Sequence, residues 1–227
     1  MVIGDILAPA VAVAEAFSGA ADIALFPAEE AIIANAVDKR RREFSTARAC
    51  ARTALAELGV APVPIVPGLR GAPQWPPGIV GSITHCAGYC ASAVARTCDV
   101  VTIGIDAEPH DTLPDGVLEA IADGAENARL AALAADCPEV CWDRLLFSAK
   151  ESVYKAWFPL TRRFLAFEEA SVTFDPVNRT FTARLLVSGP VVQGAVVTGF
   201  AGRWLISDGL IGTAIVVTAA GDGARYG

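Results

Sequence analysis

Two acidic residues stand at the end of a β-branched run and are separated by one position. Residues 100–105 are mostly apolar, and Asp106, Ala107 and Glu108 follow them. In an extended chain residues i and i+2 project to the same side, so both carboxylates would share the rim of a sheet. Oxygen ligands at this spacing suit Mg²⁺, which leaves its other positions to water and phosphate. The alternative is a polar strand end entering a loop, because Asp-x-Glu is a common tripeptide.

A second candidate group lies in the helical segment 141–158. Glu151 and Lys155 are one turn apart and share a face with Ser148, whereas Lys150 lies about 100° around the helix. Two of the three lysines in the chain therefore stand beside one glutamate. The alternative interpretation is a surface ion pair that contributes a few tenths of a kcal/mol.

Cationic side chains are concentrated in the segment 39–52. On a helical wheel Arg41, Arg48 and Arg52 fall within about 40° of one another, and Arg40 lies beside them. Because the chain is otherwise acidic, this cluster predicts a local anion site. A solvated helix end is the alternative.

A hydroxyl residue and a histidine follow each other at the end of a predicted strand. Thr84 closes the run 80–84 and His85 comes next; such a pair could grip a phosphate, although a lone histidine is more often structural. The sequence contains no P-loop, GxGxxG or GxSxG motif. Together the candidate groups suit a phosphate-rich ligand and a divalent cation, without a protein nucleophile. That pattern favours direct phosphoryl or phosphodiester transfer, in which positioning and charge neutralisation do most of the catalysis.

The elements that must position these groups can be predicted from apolar spacing and from glycine and proline. Residues 60–78 are rich in proline and are predicted to be an extended loop. Helices are predicted at 27–58 (one helix, or two with a break near Glu43), at 118–135 and at 141–158, where Pro159 ends the last one. Strands are predicted at 80–84, 91–95 and 100–105, a connector at 106–116, and antiparallel strands within 170–219. This order predicts an α+β fold of two similar-sized lobes, 1–105 and 106–227.

Composition excludes several classes of protein. With 227 residues, 53% hydrophobic and 19% charged, the chain can bury one large core or two small ones, and general disorder is excluded. The net charge of −7 argues against a general nucleic-acid binder. Mean hydropathy is positive, but glycine and proline interrupt the uncharged run 185–202, and the apolar N-terminus lacks a basic region. We expect a soluble, cytoplasmic protein that binds neither nucleic acid nor a membrane.

These motifs together resemble the paired signature of the 4′-phosphopantetheinyl transferases. The signature matches 103–108 and, after a spacer, Trp142-Asp143-Arg144 and the run 147–155; a third motif is similar to Gly71-Ala72-Pro73 with 82–85. Both main motifs lie in one chain, which resembles the pseudodimeric surfactin-synthetase type. The stretches 39–52 and 155–161 resemble its siderophore-synthetase-like branch. The resemblance spans about residues 35–175.

The resemblance implies a fold and an activity. The fold would be two pseudo-twofold-related α+β lobes, each a small, largely antiparallel sheet packed with helices, with coenzyme A in the cleft. The activity would be transfer of 4′-phosphopantetheine from coenzyme A to a serine hydroxyl of an acyl or peptidyl carrier protein, releasing adenosine 3′,5′-bisphosphate. Two lobes in one chain remove the need for a dimer, so a monomer is expected.

The resemblance also implies roles for the acids and lysines. Asp106, Glu108 and Glu151 would hold Mg²⁺, or alternatively Mn²⁺, against the pyrophosphate. Glu151 would take the proton from the incoming serine, directly or through a water. Lys150 and Lys155 would neutralise the leaving phosphate, with Lys155 as the preferred contact.

Coenzyme A would be recognised through its ribose 3′-phosphate. The resemblance assigns this contact to Arg40, Arg48 and His85, and gives Thr84 an additional hydroxyl contact.

Two positions depart from the family pattern. Ala72 stands where many relatives have lysine, and Arg70 is expected to replace that lysine at the phosphates. Ala107, between the two acids, offers no ligand, so a water is expected to complete the coordination there.

The protein partner is expected to be an acidic carrier domain. Phe158, Arg162, Arg163 and Phe164 follow the catalytic segment and mix cationic with aromatic side chains, so we predict that they contact the carrier. The alternative is that these aromatic residues belong to the core and that the arginines are solvated.

Two other functions remain open at this point. One is a Mg²⁺-dependent phosphodiesterase or pyrophosphatase that uses water as the acceptor. The other is a module that binds coenzyme A or a carrier without transferring anything.

Overall fold

The computed structural model describes residues 1–17, 23–86 and 88–219, so residues 220–227 of the predicted C-terminal lobe lie outside the described part. The helices are α1 (Pro27–Ile32), α2 (Asp38–Glu57), α3 (Val117–Ile121), α4 (Gly124–Asp136) and α5 (Trp142–Thr161). The strands are β1 (Ala12–Phe17), β2 (Ile79–Cys86), β3 (Tyr89–Arg96), β4 (Val100–Pro109), β5 (Ala170–Asp175), β6 (Thr180–Leu185), β7 (Val191–Val192), β8 (Ala195–Val196), β9 (Gly199–Ser207) and β10 (Leu210–Thr218).

The strands form antiparallel sheets, each covered by a long helix. One sheet has the order β1-β3-β2 and packs against α2; the other has the order β4-β10-β9-β6-β5 and packs against α5. Both helices have 20 residues. A separate two-stranded ribbon pairs β7 with β8. The predicted α+β class with antiparallel sheets is confirmed.

Side-chain hydroxyls on β2 join the two sheets. Ser82 Oγ accepts the N–H of Ile105 at 3.2 Å, and Thr84 Oγ1 accepts the N–H of Ala107 at 3.0 Å. These bonds satisfy backbone donors on β4 that β10 does not reach. They hold the acidic end of β4 against the end of β2.

The contact between β4 and α5 depends on a glycine. A Cβ at Gly104 would lie 2.0 Å from the carbonyl oxygen of Ser152, which no side chain tolerates. Beside it, Thr102 Oγ1 donates to the carbonyl of Ala156 at 2.8 Å. This close approach brings the middle of α5 next to the acidic end of β4.

Three predicted boundaries need correction. β4 runs through 105 and 106, where the lobe boundary was predicted, and pairs with β10 on both sides of it, so the change of sheet lies in the turn 97–99. The helical segment 27–58 is interrupted at 33–37 and continues unbroken through Glu43. The segment 118–135 is two helices, because the Asp123 side chain accepts the Glu126 N–H at 2.7 Å and caps the start of α4.

Pro159 lies within α5 instead of ending it. A proline removes only its own N–H, so in the last turn it costs one hydrogen bond while later residues continue the helix. The helix ends at Arg162, whose φ of 55° is left-handed and whose N–H donates to the Phe158 carbonyl at 2.8 Å.

The largest apolar cluster of the described residues surrounds α5, whose Leu145, Leu146 and Trp157 are almost fully buried in it together with side chains of β5, β6, β9 and β10. A smaller cluster, which includes Ala51, Ala54 and Leu55, lies between α2 and its sheet. In the described ranges, no helix is both long enough and apolar enough to span a bilayer.

Candidate active site

A cavity of about 800 Å³ lies between the two sheet-and-helix units, beside the place where β2 contacts β4. Its walls come from α2, the 67–75 loop, β2, the first half of β4 and the C-terminal half of α5. The charged and titratable residues lining it are Arg40, Arg48, Arg70, His85, Glu151, Tyr154, Lys155 and Arg162. An excess of cations around one cavity suits a ligand with several negative charges.

Arg40 and His85 meet at the edge of this cavity. Arg40 Nη1 lies 3.3 Å from His85 Nε2, and both side chains are exposed. Desolvation at the cavity edge, together with the charges of Arg40 and Lys155, lowers the pKa of His85, while Glu43 opposes the change. The lowered pKa favours the neutral imidazole, which can donate one N–H to a phosphate, and a bound anion would in turn favour its protonation.

Arg48 is held in place on the cavity wall. Its Nε donates to the Ile65 carbonyl at 2.7 Å, and its guanidinium lies 3.9 Å from the centre of the Phe44 ring. Burial lowers its pKa to about 10, with Glu29 opposing the change. The group remains charged at neutral pH and needs little reorganisation to meet an anion.

Arg70 reaches the cavity from the proline-rich loop. It adopts a left-handed φ of 54°, and its guanidinium lies 5.0 Å from the centre of the Phe164 ring. Phe164 in turn makes an edge contact of 5.5 Å with the Tyr154 ring. Arg70 is thus at the cavity, where a replacement for the missing lysine at Ala72 was expected.

Asp106 is buried at the end of β4 and has one unpaired oxygen. Its Oδ1 accepts hydrogen bonds from Lys155 Nζ at 2.8 Å and from Thr84 Oγ1 at 3.2 Å. Its Oδ2 is buried and has no hydrogen-bond partner within the described ranges. Because a buried carboxylate oxygen without a partner is costly, this atom marks a place for a ligand, and an oxygen donor of this kind suits a divalent cation.

Glu108 shares the side of β4 with Asp106. Its Oε2 accepts a hydrogen bond from Arg144 Nη1 at 3.1 Å. Burial first, and then the negative charge of Asp106, raise the pKa of Glu108, while Arg144 opposes the change. The strand therefore presents two interacting carboxylates, as the i, i+2 spacing predicts.

Glu151 faces the cavity from α5. Desolvation raises its pKa, Asp106 adds to this effect, and Lys155 opposes it. A carboxylate whose pKa moves toward neutrality is better suited to take a proton at physiological pH.

In the described ranges, the three predicted acids do not form a closed metal cluster. Asp106 interacts electrostatically with both Glu108 and Glu151. Within residues 1–17, 23–86 and 88–219, however, no group of three or more His, Cys, Asp or Glu side chains is arranged to hold a metal ion. Lys155 pairs with Asp106 and Arg144 with Glu108. The shared cation site stays a prediction, supported by the unpaired Oδ2 of Asp106.

Comparison with known proteins identifies the family. The model described as "4′-phosphopantetheinyl transferase N-terminal domain" matches residues 28–95, and that of the "4′-phosphopantetheinyl transferase superfamily" matches 102–193. The chain belongs to the 4′-phosphopantetheinyl transferase superfamily. These enzymes transfer phosphopantetheine from coenzyme A to carrier proteins. The gap between the two matches contains the turn at which one sheet gives way to the next.

Two of the named relatives match over nearly the whole chain, and a third matches about half of it. The chain is 56% identical over 217 residues to 4′-phosphopantetheinyl transferase Svp of Streptomyces mobaraensis, covering 94% of this chain and 88% of the relative. It is 48% identical over 215 residues to PptT of Mycobacterium tuberculosis, covering 91% and 92%. Enterobactin synthase component D of Escherichia coli K12 is 37% identical over 123 residues, covering 52% and 55%.

Lys150 is not at the phosphopantetheinyl transferase cleft, which corrects the prediction for this residue. It is buried in the C-terminal unit, where Nζ donates to Glu126 Oε2 at 2.8 Å and to the carbonyls of Ile121 and Phe167 at 2.6 and 2.9 Å. All three ammonium donors are used, so none is left for a phosphate. Its position on α5, about 100° around the helix from Glu151 and about 140° from Lys155, turns it into the core.

Thr84 also differs from the prediction. It is 2% exposed, and its hydroxyl both donates to Asp106 and accepts the N–H of Ala107. The hydroxyl therefore positions Asp106 and joins two strands instead of contacting coenzyme A directly.

The predicted carrier contact is only partly exposed. Phe158 is 3% exposed and belongs to the core, so its assignment to the carrier surface is wrong. Arg163 Nη2 is 2.6 Å from Glu169 Oε1 on the surface, and Phe164 is 48% exposed. The carrier role of Arg162, Arg163 and Phe164 stays a prediction.

Sequence reasoning missed the role of Arg144. The residue was quoted within a family motif, but its hydrogen bond to Glu108 joins positions 36 residues apart. No local spacing rule connects two such positions. Finding this contact requires knowing that the first turn of α5 packs against the end of β4.

Proposed function

We propose that this chain transfers 4′-phosphopantetheine from coenzyme A to a serine hydroxyl of an acyl or peptidyl carrier protein, releasing adenosine 3′,5′-bisphosphate. The observation that carries the proposal is the position of the cationic cavity. It is lined by Lys155, which is bonded to Asp106, the buried acid with an unpaired oxygen. Family membership independently points to the same reaction.

Coenzyme A would be held first by its phosphates. Arg40, Arg48 and His85 would bind the ribose 3′-phosphate, and Arg70 would approach the phosphates from the loop. Support comes from the shared placement of these four side chains on one cavity wall or edge. The hydrogen bond and ring contact of Arg48 pre-arrange its guanidinium, which lowers the entropy cost of binding.

Asp106, Glu108 and Glu151 would hold Mg²⁺ or Mn²⁺. Their carboxylate oxygens are the ligands that both ions accept, and Asp106 Oδ2 is buried without a partner in the described residues. When bound, the metal would offset the charge that develops on the leaving phosphate oxygen as the pyrophosphate P–O bond of coenzyme A breaks.

The protein's own side chains would move the proton and stabilise the leaving group. Glu151, with its raised pKa, would take the serine proton directly or through a water. Lys155 lies on the cavity wall and would neutralise the leaving phosphate. The serine oxygen would attack phosphorus directly, so no covalent enzyme intermediate is required.

The finer classification is also proposed. Both signature motifs occur in one chain, with a sheet and a 20-residue helix on each side of the cavity, which favours the pseudodimeric surfactin-synthetase type. The partial match to enterobactin synthase component D favours its siderophore-synthetase-like branch. We further propose that the protein is a cytoplasmic monomer that binds neither nucleic acid nor a membrane. The net charge of −7 supports the exclusion of nucleic acid, because a general nucleic-acid binder needs a basic surface.

The carrier would dock beside the end of α5. Arg162 and Arg163 offer positive charge to an acidic carrier, and the exposed ring of Phe164 lies beside them. In the variant Arg162→Glu/Arg163→Glu we expect carrier modification to be lost while coenzyme A binding persists. Unchanged transfer kinetics would remove these residues from the carrier surface.

The test is incubation with coenzyme A, Mg²⁺ and a panel of apo carrier proteins, followed by intact-mass measurement. We expect the carrier mass to rise by one phosphopantetheine unit, and Asp106→Asn to abolish the rise. Cleavage of coenzyme A without a modified carrier would favour the hydrolase alternative. Binding of coenzyme A with neither product would favour the non-catalytic module.

A further inference from the structure

Arg144, in the first turn of α5, binds the segment 108–113 that leaves β4. Its Nη1 donates to Glu108 Oε2 at 3.1 Å, its Nε to the carbonyl of Asp111 at 3.0 Å and its Nη2 to the carbonyl of Thr112 at 2.7 Å. Each of the three guanidinium nitrogens is thus engaged. The side chain is 16% exposed, so the fork is fixed in one orientation.

Neighbouring residues reinforce this attachment. Asp143 Oδ2 accepts the N–H of Leu113 at 2.7 Å, and the N–H of Cys141 donates to His110 Nε2 at 3.3 Å. The start of α5 therefore holds the whole segment, and the same helix carries Glu151 about two turns further along on nearly the same face. The position of the acid on β4 is tied to the position of the acid on α5.

Arg144 engages only one oxygen of Glu108. In the part of the chain that the structure describes, Oε1 of Glu108 accepts no hydrogen bond. An arginine bound side-on to both oxygens would close the carboxylate to other partners, whereas this end-on contact leaves one oxygen open. The positive charge also offsets the repulsion between Glu108 and Asp106 on the same side of β4.

We infer that Arg144 is a positioning residue: it fixes the Glu108 carboxylate in the orientation in which its open oxygen serves the cation site, without contacting the substrate itself. The inference rests on the proposed role of Glu108 as a metal ligand. Partners that orient metal ligands commonly change metal affinity by about 10–100-fold when removed.

The experiment measures Mn²⁺ binding by titration calorimetry or by electron paramagnetic resonance, with coenzyme A present and no carrier protein. In Arg144→Gln we expect the Mn²⁺ dissociation constant to rise about 10–100-fold. Arg144→Lys keeps a cation that can reach Glu108, so we expect a smaller rise of about 3–10-fold. In transfer assays the metal concentration for half-maximal rate should rise, while kcat at saturating metal stays within about threefold of the wild type.

Arg129→Gln is the matched control. Arg129 lies in the same unit and donates to Ser171 Oγ and the Val172 carbonyl on β5, the edge strand opposite β4 in the five-stranded sheet. Its loss should lower the melting temperature without changing Mn²⁺ affinity. A purely structural role of Arg144 would give the same result, with a lower melting temperature and an unchanged dissociation constant, and would overturn the inference.

Glu108→Gln distinguishes a failure of the positioning role of Arg144 from a failure of the metal site itself. If Glu108→Gln weakens Mn²⁺ binding but Arg144→Gln and Arg144→Lys do not, the positioning role is wrong and the metal site stands. If Glu108→Gln binds Mn²⁺ as the wild type does, the proposed metal site itself fails. Should Arg144→Gln not fold, Arg144→Lys decides alone, because an unchanged dissociation constant in that variant contradicts the inference.

Discussion

Helix α5 carries two lysines five positions apart, and each pairs with an acid at the same distance. Lys150 Nζ is 2.8 Å from Glu126 Oε2, and Lys155 Nζ is 2.8 Å from Asp106 Oδ1. The side chains of the first pair are 2% and 1% exposed, whereas those of the second are 25% and 6% exposed. Distance alone therefore does not separate a pair that supports the fold from one at the site.

The difference lies in what remains unsatisfied around each pair. Besides Lys150, Glu126 accepts the N–H groups of Asp123 and Val172, so the first pair is a closed network. In the second pair the far oxygen of Asp106 has no partner in the described residues. A closed pair can only hold its surroundings together, but an open pair beside a cavity can exchange partners with a ligand.

The largest expected effect is on stability, from Lys150→Met. Removing the ammonium leaves Glu126 as an uncompensated buried charge, which costs about 3–5 kcal/mol. Urea unfolding followed by circular dichroism measures the loss. Lys39→Met is the matched control, because Lys39 is 81% exposed and lies 4.0 Å from Glu43, and it should change the free energy of unfolding by less than about 0.5 kcal/mol. Equal losses in both variants would contradict the closed-network interpretation.

Lys155→Met should act on transfer instead. We expect kcat/KM to fall about 10²–10³-fold, because a cation at the leaving phosphate is removed. The free energy of unfolding should fall by no more than about 1–2 kcal/mol, since this lysine is partly exposed and water can replace it at Asp106. Steady-state transfer to a carrier and urea unfolding measure the two quantities. If Lys155→Met loses stability but keeps its kcat/KM per folded molecule, Lys155 has a structural role, as Lys150 does.

The dependence of kcat/KM on pH also distinguishes Lys155 from Lys150, because it reports the protonation of Glu151. The pKa of Glu151 is raised above its usual value. A general base must be unprotonated to act, so log(kcat/KM) should fall when the pH drops through that raised pKa and Glu151 becomes protonated. Lys155 opposes the rise in the pKa of Glu151, so in Lys155→Met the acid limb should move to higher pH. Lys150→Met should leave the limb in place. A shift to lower pH in Lys155→Met would contradict the assignment of Glu151.

Local pattern predicted the elements and the two acids of β4 well. The i, i+2 spacing of Asp106 and Glu108, the one-turn spacing of Glu151 and Lys155, and the antiparallel strands after 170 are all present. These features depend on neighbours within a few residues, where helix and strand periods decide which side chains share a face.

Non-local pairing explains what the sequence could not predict. Lys150 and Lys155 are the same residue type on the same helix, so the sequence does not distinguish them. Only the packing of α4 beside α5 shows that Lys150 pairs with Glu126. Thr84 was assigned to a ligand because a hydroxyl at a strand end is free in isolation; β4, 22 residues away, uses it. Phe158 was assigned to the carrier surface because it stands near cationic residues after the catalytic segment, whereas α5 continues to Thr161 and buries it.

The smallest expected effect comes from replacing both members of the closed pair. In Lys150→Met/Glu126→Leu no charge is left unpaired, and apolar side chains of similar volume fill the space, so most of the loss in Lys150→Met should be recovered. The backbone N–H of Val172 and the carbonyls of Ile121 and Phe167 lose their partners, which keeps the recovery incomplete. We expect a free energy of unfolding within about 1–2 kcal/mol of the wild type, and unchanged kcat/KM. If the double variant is as unstable as Lys150→Met, the network contributes through its backbone contacts and the ion pair itself is secondary.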